Sequence, residues 1–457
     1  MRFTLTVLEK DYNTIFSAIF SRKGLEGACY LICSQSVTEN ERRFLVREVV
    51  PVEDKDYLVR EPYRLSIGSN SYAGAAKRAL LKNETIVFVH SHPGGIEQHS
   101  DQDDREEPKL MEFFKSRLND KDPGSMVITD KPSVRGRVWL NNKWNQMDLV
   151  RVLGDKFIFF NSNPSRSPIP IFFDRQVRAF GKEIQQLLNY LHVVIVGTGG
   201  TGSIIFEQLV RLGIGKISIF DQDKFDPSNV NRVYGSRTRD DKKNKARMIG
   251  EHGVDIGIGN TIVIHESHIN DENTAKLLRD ADIVFGCTDK QKPRAILNAL
   301  SLQYLIPVID VGVLIESPDQ IIKGIYGRVT TVLPGEACLI CREHITARGI
   351  ELESKTREER ESLFKEGYAP ELKENNPAVI PFTSAVGSQG VTELIHRLTG
   401  FMGEDRKSSE TIFLFHENQI KSNRTPSALG CLCTKKGVIG CGDQPKSFLN
   451  LYWNGWS

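Results

Sequence analysis

The chain has almost no excess of charge: 60 Lys and Arg stand against 58 Asp and Glu, a formal net charge of +2. With no long basic block either, that balance excludes a dedicated nucleic-acid binder, whose affinity comes from neutralising phosphates. No apolar run approaches the length of a membrane span, and no internal repeat is present. The first ten residues carry charge too early, and too short an apolar stretch, for a secretory signal. A cytoplasmic protein with neither nucleic-acid nor membrane partner is expected. Cysteine is scarce, 8 in 457 residues, and clustered at 29, 33, 287, 338, 341, 431, 433 and 441 rather than spread as a disulfide framework. None lies between 341 and 431. Close pairs in a reducing compartment point to metal ligation or reactive thiols.

The length allows two or three domains with separate cores, and the element pattern is α/β. Up to about residue 155, short apolar runs alternate with turns: Cys29–Cys33, Thr85–His90, Met126–Thr129 and Arg137–Leu140 read as strands. Tyr72–Leu81 reads as a helix. The stretch 161–170 is rich in Asn, Ser and Pro, so a linker over 156–170 is expected to separate domains at 1–155 and 171–457. Beyond it, Val193–Val196, Lys216–Phe220, Ile262–Ile264, Ile283–Phe285 and Val308–Ile309 are short, β-branched and apolar on both faces. Helical segments separate them, as in a mainly parallel, Rossmann-like sheet covered on both sides. Glu351–Asn376 reads as a charged, helical surface excursion.

His90 and His92 end a strand on one face, Pro93-Gly94-Gly95 supplies a sharp exit, and Asp103 can return as a carboxylate ligand. Three such ligands and an open position are what a catalytic zinc needs. Ser100, three residues before Asp103, is placed to donate to an oxyanion. The pattern His-Ser-His-Pro, then Ser and Asp, resembles the JAMM (JAB/MPN) metalloprotease motif at every fixed position. That family takes its general base from an upstream glutamate, and Leu25-Glu26-Gly27-Ala28-Cys29 fits, so the resemblance makes Glu26 the base. It implies cleavage of peptide or isopeptide bonds after the terminal glycine of ubiquitin-like proteins.

Gly197-x-Gly199-Gly200-x-Gly202 follows a buried strand and opens a helix, and Asp221 ends the next strand. Alone, these residues also fit a nicotinamide dehydrogenase. The polar cluster that follows favours attack on the α-phosphate of ATP. Asp221 and Asp223 can grip ribose and help position metal, Arg232 and Lys245 neutralise phosphate charge, and Asp289 can hold magnesium. Arg175 offers another phosphate partner. Asp174-Arg175-Gln176, the glycine turn, Asp-x-Asp, Ser228-Asn229-x-x-Arg232, Lys245-Ala246 and Cys287-Thr288-Asp289 resemble the ThiF/MoeB family over about 171–400. The resemblance assigns Arg175, Asn229, Arg232 and Lys245 to ATP and Asp289 to magnesium. It implies adenylation of the terminal glycine of a β-grasp protein by a homodimer, with Arg175 reaching across from the second subunit. Val233 departs from the pattern, where a glutamine is usual.

By the same resemblance, Cys338 and Cys341 form half of a structural zinc site. Cys431 and Cys433 are the nearest second half, although their spacing is a residue short and Cys441 can substitute. Family members that form a thioester carry the nucleophile after the first pair, where this sequence has no cysteine. Activation then stops at the acyl-adenylate, or a separate protein supplies the thiol, or a free cysteine such as Cys441 reacts. The combined expectation is an enzyme that both processes and activates a ubiquitin-like protein, with a conjugating-enzyme-like partner. Activation of a sulfur carrier is the alternative, and a binding module with an inactive protease domain a further one.

Overall fold

The computed structural model describes residues 1–131, 133–164, 167–365, 377–403, 409–451 and 453. The chain divides into two compact units. The first comprises Met1–Pro164, Gln303–Leu305 and Lys436–Lys446; the second comprises Ser165–Leu302, Ile306–Lys435 and Ser447–Ser457.

The first unit runs through β1 (Arg2–Leu8), β2 (Ala28–Val37), β3 (Glu41–Pro51) and a hairpin of β4 (Tyr57–Glu61) and β5 (Arg64–Ile67). It continues with β6 (Thr85–His92), β7 (Gly124–Thr129), β8 (Val134–Leu140), β9 (Lys143–Gln146), β10 (Leu149–Leu153) and β11 (Phe157–Asn161). Nine of these form one sheet in the order β11-β10-β1-β3-β2-β6-β7-β8-β9. Its helices are α1 (Glu9–Ile19), α2 (Ser69–Leu81) and α3 (Asp101–Arg117). Both faces are buried, which is why β2 reads as a continuous apolar run. Cys29, Leu31 and Cys33 pack with Ile15 and Ile19 of α1, while Tyr30 and Ile32 pack with Ala79 of α2 and Met111 and Phe114 of α3. Each such aliphatic or aromatic side chain contributes roughly 1.5–3 kcal/mol by leaving water. β11 pairs antiparallel with β10, so the sheet enters the stretch where the sequence expects a linker to begin.

The second unit contains β12 (His192–Val196), β13 (Lys216–Phe220), β14 (Thr261–His265), β15 (Ile283–Gly286) and β16 (Val308–Glu316). These are parallel, in the order β14-β13-β12-β15-β16. The sheet is extended antiparallel by β17 (Gly324–Val332), β18 (Glu410–Leu414) and β19 (Gln419–Asn423). The outermost strand is not evident in the sequence, because β19 is polar and mostly exposed and carries no apolar period. Helices α4 (Asp174–Phe180), α5 (Lys182–Tyr190), α6 (Gly200–Leu212), α7 (Lys245–Ile256), α8 (Glu272–Lys276) and α9 (Gln291–Tyr304) intervene. They are followed by α10 (Ala347–Ser354), α11 (Arg357–Lys365) and α12 (Ile380–Thr399). The helical excursion expected from Glu351 is thus met by α10 and α11 as far as 365, and its end at 366–376 lies outside the described residues. Strand order reverses around β12, and a crevice outside the carboxyl ends of such strands is where open α/β sheets bind ligands.

Candidate functional sites

His90 and His92 lie on β6, on the face begun by Ile86 and Phe88 that packs against α2 and α3. On α3, Asp103, Glu107, Met111 and Phe114 recur at helical spacing; Glu107, Met111 and Phe114 are its buried residues. The apolar members anchor the helix and the acidic ones meet the histidines. His90 Nε2 is 3.2 Å from His92 Nε2 and 3.4 Å from Asp103 Oδ1, and His92 Nε2 is 3.5 Å from Asp103 Oδ2. Donors about 2.0–2.1 Å from a tetrahedral zinc stand about 3.4 Å apart, so this set fits the ion. His92 Nδ1 is 2.9 Å from the Ile96 carbonyl, which leaves its Nε2 facing the site.

Glu26 stands two residues before Ala28, the first residue of β2 and the register partner of His90. Its backbone is clamped by the Glu61 carbonyl at 3.0 Å and by Arg60 Nε at 2.8 Å. Burial pushes its carboxyl up to about 7, against the opposing influence of His90 and His92. A base poised near neutrality suits proton transfer. Ser100 is the N-cap of α3 in a reciprocal capping box. Its Oγ donates to Asp103 Oδ2 at 2.8 Å, and its amide donates to the same oxygen at 2.6 Å. In this structure Ser100 therefore holds the carboxylate, a role the sequence does not suggest.

At the second site, Gly197 has φ +91° and Gly202 lies so close that a Cβ there would be 1.9 Å from the Gly197 carbonyl oxygen. A Cβ on Gly199 would meet nothing within 4 Å, whereas one on Gly200 would touch Thr383. The turn is tight on its inner side and open at Gly199, where α6 begins, which suits an approaching phosphate. Asp221 Oδ2 accepts from the Thr198 amide at 2.7 Å and its hydroxyl at 2.9 Å, and Oδ1 accepts from the Asp223 amide at 2.9 Å. Burial nevertheless raises the Asp221 carboxyl above its ordinary value. Lys245 Nζ is 3.0 Å from Asp223 Oδ2, and Asn244 caps α7 while donating to the Asp221 carbonyl at 2.9 Å.

Asn229 is buried and accepts from the Asp226 amide at 3.3 Å; Arg232 is tethered to the Ser228 carbonyl at 2.8 Å. Val233 is 5% exposed, an apolar fit where the resemblance leads one to expect glutamine. Asp289 is exposed, two residues beyond Cys287, whose carbonyl abuts Gly197. Arg175, exposed on α4, makes no hydrogen bond or ion pair among the described residues. Among the described residues the structure thus ties Thr198, Asp221, Asp223 and Lys245 into one network and leaves Asn229, Arg232, Arg175 and Asp289 outside it.

Cys338, Cys341, Cys431 and Cys433 converge. Cys338 Sγ is 3.8 Å from Cys341 Sγ and 3.6 Å from Cys431 Sγ, and Cys341 Sγ is 3.5 Å from Cys433 Sγ. Thiolates about 2.3 Å from a tetrahedral zinc stand about 3.8 Å apart, so the short second pair still completes a four-sulfur set. Burial works against the Cys341 thiolate, yet the Ala428 amide and the neighbouring thiols bring its thiol down to about 7. Cys441 is 2% exposed and outside this cluster, and burial pushes its thiol up, which disfavours it as a reactive thiol. Cys287 is likewise raised by burial.

Several contributors are missed by sequence reasoning. Glu107, Ser125 and Arg137 stand behind His90, and Glu353 of α10 caps α9 by accepting from the Gln291 and Lys292 amides at 2.6 and 2.9 Å. Glu107 sits in an acid-rich run, Asp101 to Glu107, where only its i+4 relation to Asp103 singles it out.

Residues 173–433 match the model of the ThiF family, and residues 12–142 match that of the prokaryotic homologs of the JAB domain. The sulfur carrier protein ThiS adenylyltransferase of Bacillus subtilis is 30% identical over 35% of this chain and 46% of that protein. Ubiquitin-like modifier-activating enzyme 5 of Dictyostelium discoideum is 30% identical over 37% of this chain and 46% of that protein. The chain spans about a third to about a half of the length of the curated relatives it matches. Among solved structures, E. coli MccB with ATP superposes with a TM-score of 0.47 and 16% identity, covering 58% of this chain and 75% of that one.

Proposed function

The chain belongs to the ThiF family, and on that premise we propose that it adenylates the terminal glycine of a ubiquitin-like protein and carries a zinc peptidase that processes or deconjugates the same protein. The observation that carries this reading is the presence, on one chain, of the network Thr198–Asp221–Asp223–Lys245 beside the glycine turn and the triad His90–His92–Asp103. Both chemistries converge on a carboxyl-terminal glycine: one releases it, the other activates it.

In adenylation, the carrier's carboxylate attacks the α-phosphorus of ATP and pyrophosphate leaves. Gly199 and the start of α6 receive the phosphates, Lys245 and Arg232 offset their charge, Asn229 and Asp221 fix the nucleotide, and Asp289 holds magnesium. Arg175 serves the site from a second subunit, which makes a homodimer the working assembly. In the peptidase, His90, His92 and Asp103 hold zinc, which when bound polarises the scissile carbonyl and acidifies water. Glu26 takes the proton of the attacking water and delivers it to the leaving amine. Cys338, Cys341, Cys431 and Cys433 hold a structural zinc.

No helix among the described residues is long and apolar enough to cross a membrane, and the reading places the enzyme in the cytoplasm. With no cysteine between 341 and 431 and with Cys441 buried, activation ends at the acyl-adenylate, and a conjugating-enzyme-like protein supplies any thiol. The same absence favours a second reading, in which the carrier delivers sulfur. The deciding experiment incubates the protein with a glycine-ended carrier, ATP and magnesium and follows intact mass. Gain of AMP by the carrier supports adenylation, and loss of a carboxyl-terminal extension supports the peptidase. An unchanged carrier, without ATP–pyrophosphate exchange, overturns the reading.

A further inference from the structure

His90 is 2% exposed, and its Nε2 faces His92 and Asp103. Its other nitrogen, Nδ1, is buried without a hydrogen bond among the described residues and stands 3.4 Å from Glu107 Oε1. Glu107 is itself 5% exposed and firmly held: Ser125 Oγ donates to Oε1 at 2.7 Å, and Arg137 donates to Oε2 at 2.6 Å. Arg137 in turn pairs with Asp104 and lies 3.9 Å over the Trp144 ring. A carboxylate this buried, with its charge balanced on one oxygen and the other turned to an unpartnered imidazole nitrogen, has a specific use. It fixes which nitrogen carries the proton.

We propose that Glu107 is the positioning residue of the metal centre: it accepts from His90 Nδ1–H and so presents the Nε2 lone pair to a divalent cation. The inference rests on the zinc-peptidase reading above. His92 gains the same orientation from the Ile96 carbonyl at 2.9 Å, so each histidine has its distal nitrogen backed by an acceptor. The Glu107 side chain acts through His90.

Glu107→Gln makes a sharp test because Arg137 dictates how the amide sits. The guanidinium has only donors, so the amide oxygen turns to Arg137 and the NH2 group turns to His90. That NH2 requires a lone pair on Nδ1, which moves the imidazole proton to Nε2 and blocks ligation. Glu107→Asp keeps the charge and the Arg137 partner but withdraws the oxygen from His90. The full chain is titrated with zinc against a chromophoric chelator, and its cobalt-substituted visible spectrum is recorded. Circular dichroism and the melting temperature of the same samples verify folding.

Zinc affinity at the histidine site is expected to fall about 10–100-fold in Glu107→Gln, with an altered cobalt spectrum, and by less in Glu107→Asp. Affinities and spectra equal to wild type in both variants overturn the inference while leaving the peptidase reading intact. A wild-type chain whose zinc content is unchanged by His90→Ala overturns the metal site and the inference together. Should Glu107→Gln fail to fold, Glu107→Asp decides alone: a wild-type affinity and spectrum overturn the inference.

Discussion

Asp103 and Glu107 lie one turn apart on α3 and address opposite edges of one imidazole: Asp103 Oδ1 is 3.4 Å from His90 Nε2, and Glu107 Oε1 is 3.4 Å from His90 Nδ1. One helix thereby brings two carboxylates to one histidine on the neighbouring strand. Its entry is set by Ser100, which caps the helix and grips Asp103 at once. The geometry of the His90–His92–Asp103 cluster is therefore coupled to the stability of α3.

That coupling makes Ser100→Ala informative. Losing an N-cap of this kind costs about 1 kcal/mol, a melting-temperature drop of about 2–4 °C for a unit of this size. Asp103 also loses one of its two anchors, so zinc affinity at the histidine site should fall about tenfold. A pure oxyanion role would instead lower kcat at unchanged zinc affinity. Chelator competition and peptidase kinetics on the same variant separate the two.

The glycine turn predicts two different failures. Alanine at 202 would place Cβ 1.9 Å from the Gly197 carbonyl oxygen, which displaces backbone. Gly202→Ala should therefore lower both the melting temperature and ATP binding. Alanine at 199 meets no neighbour and keeps an ordinary φ of −72°. Gly199→Ala should melt like wild type while the KM for ATP rises at least about tenfold, because the methyl enters the space the phosphates need. Equal ATP affinity in Gly199→Ala would remove the turn from the nucleotide site.

Lys245 is 3.0 Å from Asp223, with 16% and 61% of the two side chains exposed. An ion pair with so exposed an acid contributes under about 1 kcal/mol, so stability is not what the lysine chiefly provides. Removing a cation that offsets charge on the reacting phosphates costs about 10²–10³-fold in rate. Lys245→Ala is expected to slow ATP–pyrophosphate exchange by that factor with a melting temperature within about 2 °C of wild type. The opposite result, slight loss of exchange and marked loss of stability, would make Lys245 a structural residue.

What the sequence could reveal followed from how local each signal is. His90, His92, Ser100 and Asp103 are legible because a strand end, a glycine exit and a helix cap fix their spacing within one stretch of chain. Cys338 and Cys341 are legible for the same reason, but their closure with Cys431 and Cys433 is a tertiary event across more than eighty residues. The parallel strands around β12 announce themselves by unbroken β-branched runs. β19 does not, since its polar, exposed residues become a strand by pairing with β18 and not by composition. Asp221 reads as a ribose ligand in sequence, and the structure shows it also tying Thr198 to Asp223. Such work on backbone amides leaves no motif.

His192 opens β12, and its protonation links the fold of the second unit to pH. Nδ1 is 3.0 Å from the Asp280 carbonyl and Nε2 is 2.8 Å from the Ser218 hydroxyl, partners that a neutral ring satisfies by donating from Nδ1 and accepting at Nε2. Burial, assisted by the charge of Lys216, pushes its pKa from 6.5 down to about 4. The folded state thus binds the proton more weakly than the unfolded chain does. Between pH 6.5 and 4 the unfolded state takes up the proton, and stability is lost as pH falls through that window. The full difference amounts to roughly 3 kcal/mol. His192→Gln removes the titration, so its melting temperature should fall less steeply than wild type from pH 7 to 4, whatever its absolute value. Parallel curves for the two proteins would show that His192 is not responsible, because the other acid-sensitive groups, such as Glu410 held down to about 2, are common to both.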